Sequence, residues 1–122
     1  DAIFAYLGKT EYPDMAAELA DLLLRIQQIR WPICMNTYDI QIITSVRNQS
    51  PNGGAEELVR SLAKGIGSGV GHGMMAGGQI PMESQDPSDL AELLLKRTLS
   101  FLKLSENTKG QLLVDRKLSS LP

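Results

Sequence analysis

The sequence predicts an α/β fold, a mixed β-sheet flanked by helices in a single domain, and three observations carry that expectation. Short apolar runs bounded by glycine, proline or asparagine alternate with stretches whose apolar residues recur at helical spacing. The 122 residues are enough for one domain with a core of its own, without disulfide or metal staples. With 43% hydrophobic and 21% charged residues, the composition is that of an ordinary globular chain and far from a disordered one. Aromatics make up only 5%, so the core must be built from Leu, Ile, Ala and Met.

Each element is justified locally. Ala2 to Leu7 is a short apolar run closed by Gly8-Lys9-Thr10, which reads as a strand and a loop. Pro13 opens a helical pattern in which Met15, Leu19, Leu22, Leu23, Ile26 and Ile29 form one stripe. Trp31-Pro32 is expected to end it, because a residue before proline disfavours the α region. Ile33 to Met35 and Asp39 to Arg47 follow as two strands of a hairpin, with Asn36-Thr37-Tyr38 between them. In the second strand Ile40, Ile42, Thr44 and Val46 alternate with Ile43, Ser45 and Arg47 on the opposite face. Asn48 to Gly54 is rich in turn formers. Ala55, Leu58, Val59, Leu62 and Ala63 then mark a short amphipathic helix. Residues 65 to 78 form a glycine-rich segment, read as a loop, and Gln79 to Met82 a short strand. Asp86-Pro87 starts a last helix, with Asp as cap and Pro at its first position, and Leu90, Leu93, Leu94, Phe101 and Leu102 as its apolar stripe. The domain is taken as residues 1–104. Residues 105–122 form a polar tail in which Gln111 to Val114 is a candidate edge strand.

Composition also excludes functions. A formal charge of −2 gives no electrostatic footprint for long duplex DNA or an anionic membrane. No apolar run approaches the roughly 18–20 residues of a membrane span, and no secretory signal is visible. The single cysteine, Cys34, excludes an intrachain disulfide, and flanked by Ile33 and Met35 it reads as a small core residue in a cytoplasmic protein. One histidine, with no cluster of Cys or Asp around it, cannot build a metal shell or serve a hydrolytic triad.

Chemistry concentrates in the glycines. Seven of the eleven lie between residues 65 and 78. Glycine lets backbone approach a ligand closely, and successive N–H groups can converge on an anion. The segment is not a Walker loop, since Lys64 precedes the glycines. Gly71-His-Gly-Met-Met-Ala76 matches a dinucleotide pattern, but a helix rather than a strand leads into it. His72, within this segment, could donate to a phosphate oxygen. Arg47, at a strand end, offers a planar fork for phosphate or carboxylate. Ser45, Asn48 and Ser68 are supporting donors. Met74 and Met75 are expected in the core.

Ser45-Val-Arg-Asn48, a short amphipathic helix, and then Gly69-Val-Gly-His-Gly-Met-Met-Ala-Gly77 resemble the C-terminal DHH-associated domain of the DHH phosphoesterases. That family carries a Ser-hydrophobic-Arg-Ser strand end and a Gly-Gly-Gly-His-x-x-Ala-Ala-Gly loop. Gly69, Gly71, His72, Ala76 and Gly77 match in register, whereas Val70, Met75 and Asn48 depart from it. The resemblance covers residues 1 to 82. It implies a fragment of a two-domain, manganese-dependent hydrolase of the phosphodiesterase or exonuclease type. Arg47, His72, Gly69, Gly71, Ser45 and Asn48 would grip the substrate phosphate, with no catalytic or metal-binding residue in this chain. The implied partners are an N-terminal catalytic domain, which would hold the manganese, and a short oligonucleotide, cyclic dinucleotide or nucleoside bisphosphate. Two other readings stand beside it. One is an accessory RNA-contacting or structural domain of an alanyl-tRNA synthetase-like protein. The other is a structural module whose glycines serve packing alone.

Overall fold

The computed structural model describes residues 2–26, 29–48, 54–72, 74–83, 85–102 and 111–114. Strands β1 (Ala2–Lys9), β2 (Trp31–Tyr38), β3 (Gln41–Arg47), β4 (Ser68–His72), β5 (Met75–Pro81) and β6 (Gln111–Val114) alternate with helices α1 (Met15–Leu24), α2 (Ala55–Ala63) and α3 (Pro87–Leu102). The strands form one six-stranded sheet in the order β4-β5-β3-β2-β1-β6. β1 runs parallel to β2 and to β6, while β2, β3, β5 and β4 are joined antiparallel. The chain is therefore a mixed-sheet α/β domain.

Two cores of different grain hold the layers together. On one face α2 and α3 cover the sheet, and Ile33, Met35, Ile42 and Val46 meet Leu58, Val59, Leu62, Leu90 and Leu94. On the other, α1 packs over β2 and β3 through small side chains, with Ala16 and Ala20 against Ala5 and Cys34. Small residues there bring the helix close to the sheet. Asn36 fixes its position: its Oδ1 accepts the Ala16 backbone N–H (3.0 Å) and its Nδ2 donates to Thr10 Oγ1 (2.8 Å). A side chain from β2 thus satisfies one of the orphan donors at the start of α1.

Several boundaries differ from the sequence expectation. Trp31 and Pro32 open β2 rather than closing a helix, and α1 stops at Leu24. Proline is tolerated at a strand start, where its missing N–H costs little. The β2–β3 turn is Asp39-Ile40, with Asp39 at φ 58°, and not Asn36-Thr37-Tyr38. Asn36 and Thr37 are instead buried strand residues, Thr37 sharing a 2.7 Å hydrogen bond with the Tyr6 hydroxyl. Tertiary partners turned residues with turn chemistry into core residues. α2 buries the expected five positions, and Asp86 Oδ1 accepts the Ser88 N–H (2.7 Å) at the start of α3.

The glycine-rich segment departs most from expectation. It is a β-hairpin, in which Ser68–His72 pairs residue by residue with Met75–Gln79. Pairing within the ladder occupies backbone groups that a phosphate loop would aim at its ligand.

Candidate functional site

α1 covers only part of its face of the sheet. Beyond it, β3, β5 and β4 lie open, and the start of α1 walls off a cleft of about 450 Å³. Pro13, Asp14 and Ala17 form the helical wall, and Ile43, Ser45, Val70, Gly77 and Gln79 are among the sheet residues beneath. Gly77 keeps the floor flat. A Cβ there would meet nothing closer than the Thr44 carbonyl oxygen, at 3.4 Å, so a larger residue would project into the open space. The cleft is concave, and Asp14, Thr44, Ser45, Ser68 and Gln79 bring polar side chains to a lining otherwise apolar or glycine. Asp14 is the one ionisable residue in its lining.

Of the residues singled out from sequence, Ser45, Ser68 and Gly69 line this cleft. Ser45 is buried, and Gly69 contributes backbone. Arg47 lies one strand step along the same face, but it does not stand free. At 7% exposure it is buried, its Nε donates to Asp21 Oδ1 (2.7 Å) and its Nη1 to the Val46 carbonyl (3.1 Å). The guanidinium is thus spent in large part on clamping α1 to β3. Asn48 is buried behind the strand end, with its N–H on the Met74 carbonyl (2.9 Å). The His72 backbone pairs with Met75 at the end of β4, and its side chain lies outside the described residues. Gly71 faces Ala76, whose Cβ a side chain at 71 would strike.

Close packing explains the absence of side chains at two of these positions. A Cβ on Gly69 would collide with Val59 of α2, so glycine there sets how near the helix lies to the sheet. Met74 and Met75, expected in the core, are instead half-exposed, at 50% and 49%. Pro13, Asp14, Ala17, Ile43, Gly77 and Gln79 were not legible as site residues, because the cleft exists only once α1 crosses the sheet. Gly77 alone had a sequence signal, as part of the glycine run. Among the described residues no group of three or more His, Cys, Asp or Glu could hold a metal ion. No described helix is long and apolar enough to cross a membrane.

No protein-family model and no curated protein matches the sequence. Solved structures do resemble the fold. The C-Ala domain of the alanyl-tRNA synthetase from Aquifex aeolicus superposes with a TM-score of 0.58 at 20% sequence identity, over 78% of this chain and 89% of that one. The chain shares the fold of that domain. This finding corrects the expectation of a DHH-associated domain, and with it the reading as part of a hydrolase served by manganese. The motif match was local. Two of the five matching residues, Gly69 and Gly71, are required by close packing of the hairpin against Val59 and Ala76, and the likeness over most of the chain outweighs the rest.

Proposed function

We propose that the chain is an accessory domain of an alanyl-tRNA synthetase-like protein, acting through RNA contact in the cytoplasm rather than through bond-making. The fold likeness to the C-Ala domain carries this reading. The cleft on the α1 face supports it by offering a shallow floor at Gly77 with Ser45 and Gln79 beside it, a setting in which an unpaired nucleotide can lie flat and find hydrogen-bond partners. Ser45, Ser68 and Gly69 are the sequence-derived residues assigned to this contact. Arg47 serves it by holding α1, the cleft wall, in place.

The test is fluorescence anisotropy with a labelled alanine tRNA transcript, against an unrelated tRNA and a single-stranded DNA of equal charge. The whole chain is expected to prefer tRNA. Gly77→Val, which fills the floor, should weaken tRNA binding about tenfold, a change of about 1.4 kcal/mol, while its melting temperature stays close to that of the parent. Equal affinity for all three probes, or unaltered binding by Gly77→Val, would sink the RNA reading.

A second reading, a structural domain that docks on protein, is favoured by a different observation. Val70, Met74 and Met75 form an exposed apolar strip on the β4–β5 hairpin of a chain whose net charge is −2. Absence of tRNA binding at low salt would select this reading.

A further inference from the structure

β4 is an edge strand of an unusual kind. It stands at the end of the sheet order, and among the described residues no strand pairs with its outer side. Proteins usually guard such edges with lysine, proline, a bulge or a covering element. Ser68-Gly-Val-Gly-His72 has no lysine, no proline, no acidic residue and no register shift against β5. Its central residue, Val70, is 77% exposed.

We propose that β4 pairs antiparallel with β4 of a second copy of this chain, about a twofold axis at Val70, joining two sheets into one. This goes beyond the accessory-domain reading and does not depend on it. The strand is symmetric in the way such a seam requires. Val70 falls opposite Val70, Gly69 opposite Gly71, and Ser68 opposite His72, so no like charges meet between formally charged residues. Helix α2 fits the same axis. It packs over β4 and β5, with Val59, its middle residue, above Gly69, so helix centre and strand centre nearly coincide. With strands about 4.8 Å apart, an α2 placed between β4 and β5 would lie about 10 Å from its symmetry mate, within the range of packed helices. The two helices would run antiparallel. Their charges suit that arrangement, because α2 carries Glu57 at its start and Lys64 just beyond its end, while Arg60 pairs with Glu56 inside the same helix. The acidic end of each helix would lie beside the basic end of the other. A second copy is therefore the occupant that matches register, helix spacing and charge together.

The experiment is sedimentation of the whole chain across micromolar concentrations, with two variants. The parent should show a mass that rises with concentration toward twice the monomer. Val70→Lys, a change at an exposed position, should stay monomeric while melting as the parent does. Val70→Cys, under mild oxidation, should give a covalent dimer, since directly opposed residues of antiparallel strands bring Cα atoms to about 4.5–5.5 Å, within disulfide range; Cys34 is buried and does not compete. A parent that remains monomeric throughout overturns the proposal. So does a Val70→Lys chain that dimerises like the parent, or a Val70→Cys chain that forms no covalent dimer.

Discussion

Arg47 shows how a residue singled out for its chemistry can find its partner inside the fold. A guanidinium at a strand end suits an anion, and here the anion is Asp21 of α1, at 2.7 Å. Arg47 is buried and Asp21 is more than half exposed, so the two partners are not equivalent. Removing the carboxylate leaves a buried cation, which is the costly direction. Asp21→Ala is expected to lower unfolding stability by about 2 kcal/mol, measured by urea denaturation. Asp21→Asn, which keeps an acceptor oxygen, should lose less. Cys34 gives a second prediction at this scale. Burial pushes its thiol up from 9.0 to about 12, against a smaller lowering by Arg47. In the unfolded chain the thiol ionises first, so the native state holds the extra proton above pH 9. That contribution is full below pH 9 and is lost as pH rises toward 12. Stability of the parent relative to Cys34→Ala should therefore fall by about 1 kcal/mol per pH unit in that window. A pH-independent difference would mean that the site admits water or the thiolate.

Among the elements, the β4–β5 hairpin was the hardest to read. Alternating glycine and apolar residues fit a ligand loop and an edge hairpin equally well, because glycine removes the side-chain pattern that reveals a strand. α2 was legible for the opposite reason. Its Ala55, Leu58, Val59, Leu62 and Ala63 spell the helical period, and all five are buried. The two elements depend on one another through Gly69. Gly69→Ala should cost about 1–3 kcal/mol by forcing Val59 and α2 away from the sheet, whereas Gly77→Ala, with its Cβ in open space, should be tolerated. Equal melting temperatures for the two variants would show that α2 yields more easily than its packing suggests. Asn36 and Thr37 teach a related lesson. Local preference marked them as a turn, but Ala16, Thr10 and Tyr6 supply hydrogen bonds that make a buried strand the better place for them.

At the scale of the whole molecule, charge limits how the proposed RNA contact can be made. The chain is acidic overall, and Arg47 is committed to Asp21. Binding of tRNA by this chain should therefore rest on shape and base contact more than on phosphate neutralisation. The log–log slope of affinity against salt is expected to be shallower than about 3, corresponding to few released counterions. A steep slope, measured in the same anisotropy titration, would move the interface to a basic surface away from the cleft.

The sequence by itself determined the fold class, the apolar stripes of α2 and α3, the alternation of β3 and the burial of Cys34. Periodicity and composition encode these, and both are local properties. The stripe expected on α1 is not the face it buries: Ala16 and Ala20 meet the sheet, while Leu22 and Ile26 are exposed. Only the tertiary structure decided that the glycine segment is a hairpin, that Arg47 faces a carboxylate, and that Ser45 and Gly77 share a cleft with Asp14. Each of those depends on residues far apart in the chain meeting across α1, α2 and the sheet. Such meetings are set by how layers pack, and no window of neighbouring residues contains them.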